Sequence, residues 1–133
     1  MSKTNHNGAT REDVLAFAAW RFGTTPDYPW LSLPNYAVLR QLGNKKWYAL
    51  VMDIPKNRLD LAGDGLVDIL NIKCDPIMNG SLRKAKGFLP AYHMNRDNWI
   101  SILLDGSVDT AELFPLIEIS YDMTDPKRTR HKV

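Results

Sequence analysis

The sequence predicts an α+β domain built on a mainly antiparallel sheet. Its elements follow the order helix, three strands, helix, short strand, strand, helix, and the strands are joined by short connections. Parallel sheets need a long crossover between strands, and that repeating pattern is absent. A length of 133 residues with 44% hydrophobic residues suits one domain with its own core. We expect a flexible arm at 1–9, one domain at 10–125 and a basic tail at 126–133.

The first helix is predicted over residues 10–22. The Thr10 hydroxyl can cap the free amides of the first turn, and Asp13 three residues on gives a capping-box pattern. Gly23 is suited to end the helix because glycine adopts positive φ without strain. The apolar residues recur at helical spacing: Val14, Leu15, Phe17, Ala18 and Phe22.

The second helix is predicted over residues 76–86. Asp75 and Pro76 form a start signal, with the aspartate at the N-cap and the proline in the first helical position. Gly80 weakens this helix by roughly 1 kcal/mol relative to alanine. Gly87 is expected to end it.

The third helix is predicted over residues 110–123, where Asp109 and Glu112 give a second capping-box pattern. Pro115 falls at the sixth helical position, where proline removes a backbone hydrogen bond. Either the helix is bent there or its regular part begins at Pro115.

Five strands are predicted from apolar runs bounded by turn residues. They cover residues 36–42, 45–54, 67–74, 88–94 and 99–104. Gly43-Asn44 is predicted as a two-residue hairpin turn, since both residues tolerate positive φ.

The second strand is apolar on both faces, which indicates a central or covered strand. Simple alternation of side chains places one group on the first face: Trp47, Ala49 and Val51. It places another group on the opposite face: Tyr48, Leu50 and Met52.

Two connections are predicted to be irregular. Residues 24–34 contain three prolines and carry Tyr28 and Trp30, which either close the edge of the core or contact a ligand. Residues 56–66 are polar with two glycines, and we expect an exposed excursion there.

The formal net charge is +2, but the charges are unevenly distributed. Without residues 126–133, 13 basic residues stand against 15 acidic ones. Segments 40–58 and 73–96 each carry five bases and one acid, whereas 105–125 carries six acids and no base. The pattern indicates either a basic binding face or an ordinary solvated surface.

Nothing in the sequence indicates a membrane or secreted protein. No apolar run approaches the ~20 residues that a spanning helix needs, and the first ten residues lack the apolar centre of a secretory signal. The single cysteine excludes an internal disulfide and fits a reducing compartment. We therefore expect a cytoplasmic protein that works without a cofactor and does not bind membranes.

Cys74 and His93 are the only thiol and imidazole of the predicted domain, so they are the candidates for a catalytic nucleophile and base. No nucleophile-elbow or oxyanion-loop pattern accompanies them, and a buried structural cysteine is favoured. Metal-ligand spacings such as CxxC or HxxxH are absent. The sequence therefore favours a binding protein over an enzyme and predicts no metal site.

Four separated motifs carry the most specific signal in the chain. They are Asp27-Tyr28-Pro29-Trp30, Asn71-Ile72-Lys73-Cys74-Asp75-Pro76, Ala91-Tyr92-His93-Met94-Asn95 leading into Trp99-Ile100, and Ser120-Tyr121-Asp122. On these motifs the chain resembles the MmcQ/YjbR family of small bacterial proteins over residues 10–124. The resemblance implies a YjbR-like fold similar to the double-wing DNA-binding domain of the phage transcription factor MotA. The long 56–66 loop and Pro115 depart from the usual pattern.

The resemblance implies a DNA-binding accessory protein, because family members are commonly described as DNA-binding on the basis of their fold. Bases in the two positive segments would contact phosphates, and binding would weaken steeply with salt. The predicted contacts are Lys45, Lys46, Arg83, Lys84, Lys86 and Arg96. The basic tail would add nonspecific attraction.

The alternative is a small-molecule or protein-binding module with a polar and aromatic pocket around His93. It rests on a nearly neutral body and on aromatic residues concentrated beside that histidine. The predicted lining is Tyr28, Trp30, Lys73, His93, Asn95 and Trp99.

Overall fold

The computed structural model describes residues 7–127, which contain a five-stranded sheet and three α-helices. The helices are α1 (Arg11–Phe22), α2 (Pro76–Leu82) and α3 (Thr110–Thr124). The strands are β1 (Ala37–Arg40), β2 (Trp47–Pro55), β3 (Leu66–Lys73), β4 (Phe88–Pro90) and β5 (Trp99–Leu103). They lie in the order β1-β2-β3-β5-β4, and every neighbouring pair is antiparallel. The predicted α+β class with an antiparallel sheet is confirmed.

One face of the sheet, which we call the helix face, packs against α1 and α3. The two helices also meet through stacked aromatic rings, with Phe17 4.2 Å from Phe114 and Phe22 3.8 Å from Tyr121 between ring centroids. The sheet residues of the helix face are Ala37, Leu39, Tyr48, Ala49, Val51, Leu70, Ile72, Ile100 and Ile102. All of them are buried, so this face and its helices form the main core.

The opposite face, which we call the loop face, is covered by connecting segments. Its buried sheet residues are Val38, Leu50, Met52, Ile54, Val67, Ile69 and Leu103. Partly buried side chains from outside the strands pack on them: Trp30, Tyr36, Leu59, Leu61, Tyr92 and Met94. The sheet is therefore apolar on both faces, as predicted for β2.

The chain just before α1 is tied to the loop that precedes α3. The Gly106 N–H donates to the Ala9 carbonyl at 3.2 Å. At Gly8 a Cβ atom would collide with the Gly106 carbonyl oxygen, so this close approach requires glycine. Of the predicted flexible arm at 1–9, residues 7–9 thus make backbone hydrogen bonds to the segment that leads into α3, and residues 1–6 lie outside the described residues.

The predicted cap of α1 is confirmed and that of α3 is not. The Asp13 N–H donates to the Thr10 hydroxyl at 3.4 Å, and the Thr10 N–H donates to the Asp13 carboxylate at 3.0 Å. Gly23 ends α1 with a φ of 68°. Asp109 stands at the N-cap of α3 but makes no side-chain cap hydrogen bond, so the capping box with Glu112 is wrong.

The other two helix predictions need smaller corrections. α2 ends at Leu82, short of the predicted end, and a turn leads from it to Gly87, whose φ is 90°. Pro115 lies inside α3, which begins at Thr110, so the prediction that the regular helix begins at the proline is wrong. Pro115 and Ala111, whose carbonyl loses a partner, are both exposed, and water can therefore replace the missing hydrogen bond.

A β-bulge interrupts the pairing of β1 with β2. Leu39 pairs with Ala49 but Arg40 pairs with Trp47, so Tyr48 is an extra residue on β2. The bulge turns Tyr48 to the helix face beside Ala49 and sends Trp47 to the loop face. The predicted alternation is therefore wrong for these two aromatic residues.

A serine of α3 stabilises the bulge. The Ser120 hydroxyl donates to the Tyr48 carbonyl at 2.5 Å and accepts from the Lys73 N–H at 2.9 Å. The Tyr48 ring is fully buried, and its hydroxyl shares a hydrogen bond of 2.5 Å with Thr24. Burial raises the pKa of Tyr48 to about 12, and the hydrogen bond with Thr24 acts in the opposite direction.

Two connections also differ from the sequence prediction. The β1–β2 connection is longer than a two-residue turn at Gly43: the Gln41 N–H donates to the Lys46 carbonyl at 2.8 Å, and Lys45 has a φ of 64°. After β2, a 3₁₀ turn forms at Lys56–Leu59, and two leucines of this segment pack on the loop face. The predicted exposed excursion is therefore wrong in part, because these leucines supply apolar cover.

Candidate functional site

The loop face holds a cavity of about 260 Å³ above β2. Its lining residues are Trp30, Leu33, Tyr36, Trp47, Leu50, Met52, Tyr92, His93 and Met94. Leu50 and Met52 are buried sheet residues, whereas the other side chains are partly or fully exposed. Hollows of about 530 Å³ beside the end of α1 and 670 Å³ beside α2 contain none of the predicted ligand residues. The cavity around His93 is therefore the candidate site.

Three aromatic rings of the lining meet at nearly right angles. Trp30 makes an 85° angle with Tyr36 at 6.1 Å between centroids, and a 75° angle with Trp47 at 5.8 Å. Edge-to-face pairs of this kind are favourable because the positive edge of one ring meets the negative face of the other. Trp30 therefore lies nearly perpendicular to two of its neighbours in the lining.

The wall formed by residues 91–94 is held by a buried polar network on the sheet. The Tyr92 N–H donates to the Ser101 hydroxyl at 2.9 Å, and the Asn71 amide donates to the Tyr92 carbonyl at 3.0 Å. The Ser101 hydroxyl in turn donates to the Asn71 side-chain oxygen at 2.5 Å. The next residue, His93, has a φ of 58°, a conformation that histidine tolerates better than most residues. The network therefore fixes Tyr92 and projects His93 at the cavity.

The wall that carries Trp30 is fixed to the edge strand. Asp27 and Val38 exchange two backbone hydrogen bonds, of 2.9 and 2.8 Å. The Asp27 carboxylate also accepts two hydrogen bonds from the Arg40 guanidinium, at 3.0 and 3.2 Å. The guanidinium carbon of Arg40 lies 5.6 Å from the centre of the Trp47 ring, within cation–π range. This proline-rich segment is thus positioned by β1 and is part of a preformed site.

The structure brings two of the six predicted ligand residues into the cavity. Trp30 and His93 line it, whereas the other four predicted residues do not. The side-chain oxygen of Asn95 caps its own turn by accepting from the Asp97 and Asn98 N–H groups. Those that lie outside the lining are Tyr28, Lys73, Asn95 and Trp99. The cavity is consequently more apolar than the predicted polar and aromatic pocket.

Sequence reasoning missed most of the lining. Trp47 was placed on the wrong face because the bulge cannot be seen in a simple alternation. Tyr92 and Met94 belong to the histidine motif, so its apolar members were the available signal. The missed residues are Leu33, Tyr36, Trp47, Leu50, Met52, Tyr92 and Met94.

The six predicted DNA contacts are exposed and lie at three separate places. Lys45 and Lys46 are in the β1–β2 connection, at one edge of the sheet. Arg96 is in the β4–β5 connection, which lies at the same end of the strands but at the other edge. Three more precede β4 in the turn after α2: Arg83, Lys84 and Lys86. Four strand spacings of about 4.8 Å, roughly 19 Å in all, separate the two edges.

Cys74 and His93 lie on opposite sides of the sheet. Cys74 is 1% exposed and belongs to the core on the helix face, whereas His93 is exposed beside the cavity on the loop face. Burial raises the pKa of the Cys74 thiol, and the charge of Asp75 adds to that effect. The structure therefore does not bring the two together as a nucleophile and base.

Residues 7–127 contain neither a candidate metal cluster nor a candidate membrane-spanning helix. These residues contain no cluster of three or more histidine, cysteine or carboxylate side chains placed to hold a metal ion. In the same part of the chain, no helix combines the length and apolar character needed to cross a bilayer.

Comparison with known proteins places this fold in a family. The family model described as YjbR matches residues 21–123. The chain belongs to the YjbR family. The match begins within α1 and ends within α3, so the YjbR region includes the whole sheet and every residue that lines the cavity.

Relatives of this YjbR protein match most of its length, and the solved ones share its fold. The uncharacterised protein YyaQ of Bacillus subtilis is 46% identical over 115 residues, which cover 86% of this chain and 98% of YyaQ. A crystal structure of a Pseudomonas syringae protein, 44% identical, has a TM-score of 0.85 and is matched over 87% of this chain and 99% of that one. The Deinococcus radiodurans protein DR2400, 26% identical, has a TM-score of 0.67 over 91% of this chain and 82% of that one.

The YjbR motifs that the sequence displays have structural roles around the cavity and the sheet. Asn71 and Tyr92 belong to the polar network that holds the cavity wall. Asp75 caps α2 by accepting from the Met78 N–H at 2.9 Å. Ser120 bridges the bulge that turns the β2 tryptophan toward the cavity. Asn71 and Ser120 therefore support the cavity without lining it, Tyr92 lines it, and Asp75 stabilises a helix elsewhere.

Proposed function

We propose that this YjbR protein is a binding module for a small molecule, with the loop-face cavity as its site. The observation that carries the proposal is the fixed wall at Tyr92, whose backbone N–H and carbonyl are both held by buried side chains of the sheet. Ligand sites are commonly concave, apolar and preformed, with few polar groups. A segment that only covers the surface does not need a buried polar network to order it, because such a network is favourable only when all of its members are hydrogen-bonded.

The size and chemistry of the cavity favour a ligand over a macromolecule or a reaction. A volume of about 260 Å³ lies just below the range of about 300–1,000 Å³ that is usual for ligand pockets, so it suits a small compound. The lining holds one imidazole and no carboxylate, thiol or ammonium group beside it. The other titratable groups of the lining are the Tyr36 and Tyr92 phenols, and burial raises the pKa of Tyr36 further from neutrality, which makes it a poor general base.

An NMR fragment screen on the uniformly ¹⁵N-labelled protein tests the proposal. We expect hits to shift the amide signals of Trp47, Leu50, Tyr92 and His93 at millimolar concentration. Trp47→Leu should abolish these shifts, whereas Trp20→Leu should not, because Trp20 is 78% exposed on α1 and does not line the cavity. A diverse screen that gives no shifts around the cavity would contradict the proposal.

DNA binding is a second candidate function, as the family resemblance implies. The observation in its favour is that the six predicted contacts are exposed and that none of them forms an ion pair with another residue in 7–127. Free surface cations are available to neutralise phosphates and release counterions. The expected similarity of the fold to a double-wing DNA-binding domain is part of this second proposal.

Fluorescence anisotropy with a labelled duplex at low salt tests the second candidate. The expected result is weak binding that disappears as salt is raised. Two charge-reversal variants show which group of cations contributes to DNA binding. One variant changes Arg83, Lys84 and Lys86, and the other changes Lys45 and Lys46. Absence of binding at tens of micromolar protein, roughly the middle of the nonspecific range, would exclude it.

A further inference from the structure

The ring geometry of the cavity points to a class of ligand. Four aromatic residues line it, namely Trp30, Tyr36, Trp47 and Tyr92, together with two methionines. The Trp30 ring stands 85° from Tyr36 and 75° from Trp47, so the lining presents aromatic rings in at least two orientations. Walls at right angles suit a compact, roughly spherical group that touches several rings at once.

We propose that the cavity binds a methylated ammonium group, such as the head of a choline-like cation. This inference rests on the proposed function, since it names the ligand class of the same site. Aromatic faces carry the negative part of the ring quadrupole and attract cations that are weakly hydrated, and a cage of several rings is the usual receptor for quaternary ammonium groups.

The hydrogen-bonding capacity of the site supports a ligand that needs no hydrogen bonds. The backbone N–H and carbonyl of Tyr92 are already paired with Ser101 and Asn71. No carboxylate, carboxamide, lysine or arginine lines the cavity, so the remaining polar groups are the phenols, indoles and His93. A methylated ammonium has no N–H to satisfy when it is quaternary, and the apolar lining therefore costs it less than it would cost a primary ammonium.

The charges around the cavity leave its aromatic faces available. Arg40 lies over the Trp47 ring at 5.6 Å, but its charge is paired with Asp27 at 3.0 Å. Arg40 also shows that a ring of this lining already accommodates a cation.

The test compares choline with the neutral alcohol in which a tert-butyl group replaces the trimethylammonium group. The two compounds have nearly the same shape, so a difference in affinity reports the charge. Cavity amide shifts in NMR titrations should give an affinity for choline about tenfold higher than for the alcohol. Trp47→Leu should weaken choline binding about tenfold. Trp20→Leu, the matched control away from the cavity, should leave it unchanged.

A second pair of variants changes the charge at the cavity without touching the rings. His93 is exposed at a φ of 58°, and asparagine also tolerates this conformation. His93→Lys places a fixed cation beside the site and should weaken choline binding by about tenfold while leaving the neutral alcohol unchanged. His93→Asn is the uncharged comparison for the change in shape, and His93→Lys should bind choline about tenfold more weakly than His93→Asn does.

The outcomes separate this inference from the proposed function. Equal or tighter binding of the alcohol, or no effect of His93→Lys on choline, would overturn the cation inference and leave a small-molecule site in place. If neither compound binds, the inference is wrong, and the fragment screen then decides whether the cavity binds other small molecules.

Discussion

The two faces of one sheet differ in what covers them. On the helix face, α1 and α3 bury the strands completely, and stacked rings such as Phe17 and Phe114 close the joint between the helices. On the loop face, connecting segments bring large side chains such as Trp30 and Tyr92 that are only partly buried. A helix covers a sheet with a continuous stripe of side chains, whereas separate loops meet imperfectly.

The difference separates the main core from the proposed binding site within a small domain. The helix face carries the larger core, and the loop face carries the cavity. Both faces nevertheless contain a buried serine whose hydroxyl accepts a hydrogen bond from a backbone N–H and donates one to a group on another segment. Ser120 does this on the helix face and Ser101 on the loop face. The two faces can therefore be compared with identical substitutions.

The largest expected difference is in the free energy of unfolding, when two leucines on adjacent central strands are each replaced by alanine. Leu70→Ala on the helix face should lower the free energy of unfolding by about 2–5 kcal/mol, because Leu70 is fully buried in close packing. Leu50→Ala on the loop face should cost less, about 1–3 kcal/mol, because Leu50 already borders a cavity that water can enter. Urea unfolding of both variants measures the two losses. Equal losses would mean that the loop face is packed as tightly as the helix face.

The next comparison uses the two buried serines. Ser101→Ala and Ser120→Ala each leave a backbone N–H without its partner and should each cost about 1–3 kcal/mol. The local effects should differ: amide exchange should accelerate at Tyr92 in the first variant and at Lys73 in the second. Ligand shifts at the cavity should be lost only with Ser101→Ala.

Hydrogen exchange followed by NMR distinguishes a local effect from a global one. If both amides accelerate in both variants, the serines stabilise the domain as a whole and do not act on one face each. If Ser120→Ala also removes ligand shifts, the bulge and the cavity are more closely coupled than the two-face description allows.

Most of the fold could be predicted because local signals agreed with the final structure. Thr10 and Asp13 define the start of α1, and Asp75 defines the start of α2, in both the sequence and the structure. Some local predictions failed, such as the capping box at Asp109 and the turn at Gly43, but the failure that most affects the site was long-range. The bulge at Tyr48 depends on Ser120, which is 72 residues away in the chain, so no local pattern reveals it.

The candidate site was predictable in location but not in composition. The sequence pointed to the surroundings of His93, and the cavity is there. Lys73 and Asn95 were expected to line it because of their chemistry, but Asn95 instead caps its own turn. Which side chains face a shared space depends on strand register and on how loops from distant positions meet, and a single sequence does not contain that information.

A smaller effect on stability is expected from two phenols, the fully buried Tyr48 on the helix face and the partly buried Tyr36 on the loop face. The pKa of Tyr48 is raised to about 12, so the neutral phenol is favoured in the folded protein relative to the unfolded chain, where tyrosine titrates near pH 10. This contribution is complete below about pH 10 and is lost as the pH rises toward 12. Tyr48→Phe should cost about 1 kcal/mol at neutral pH, through the lost hydrogen bond with Thr24, and should weaken the alkaline loss of stability.

Tyr36→Phe is the loop-face counterpart. Burial raises the pKa of Tyr36 as well, so the sign of its effect is the same. Because its side chain is only partly buried, Tyr36→Phe should change the loss of stability at alkaline pH less than Tyr48→Phe does. Chemical denaturation at a series of pH values between neutrality and 11 measures both. A larger effect at Tyr36 would contradict the greater burial of the helix face.

The smallest effect concerns one exposed ion pair at each face. Arg21–Glu118 joins α1 to α3, and Arg40–Asp27 holds the Trp30 segment beside the cavity. Glu118→Gln and Asp27→Asn should each change the free energy of unfolding by less than about 1 kcal/mol, because exposed pairs are well screened. Asp27→Asn also leaves the Arg40 charge over the Trp47 ring unpaired, so it should weaken choline binding about twofold at low salt. Glu118→Gln should not change that affinity, and a titration at two salt concentrations shows whether the loop-face pair alone acts on the site.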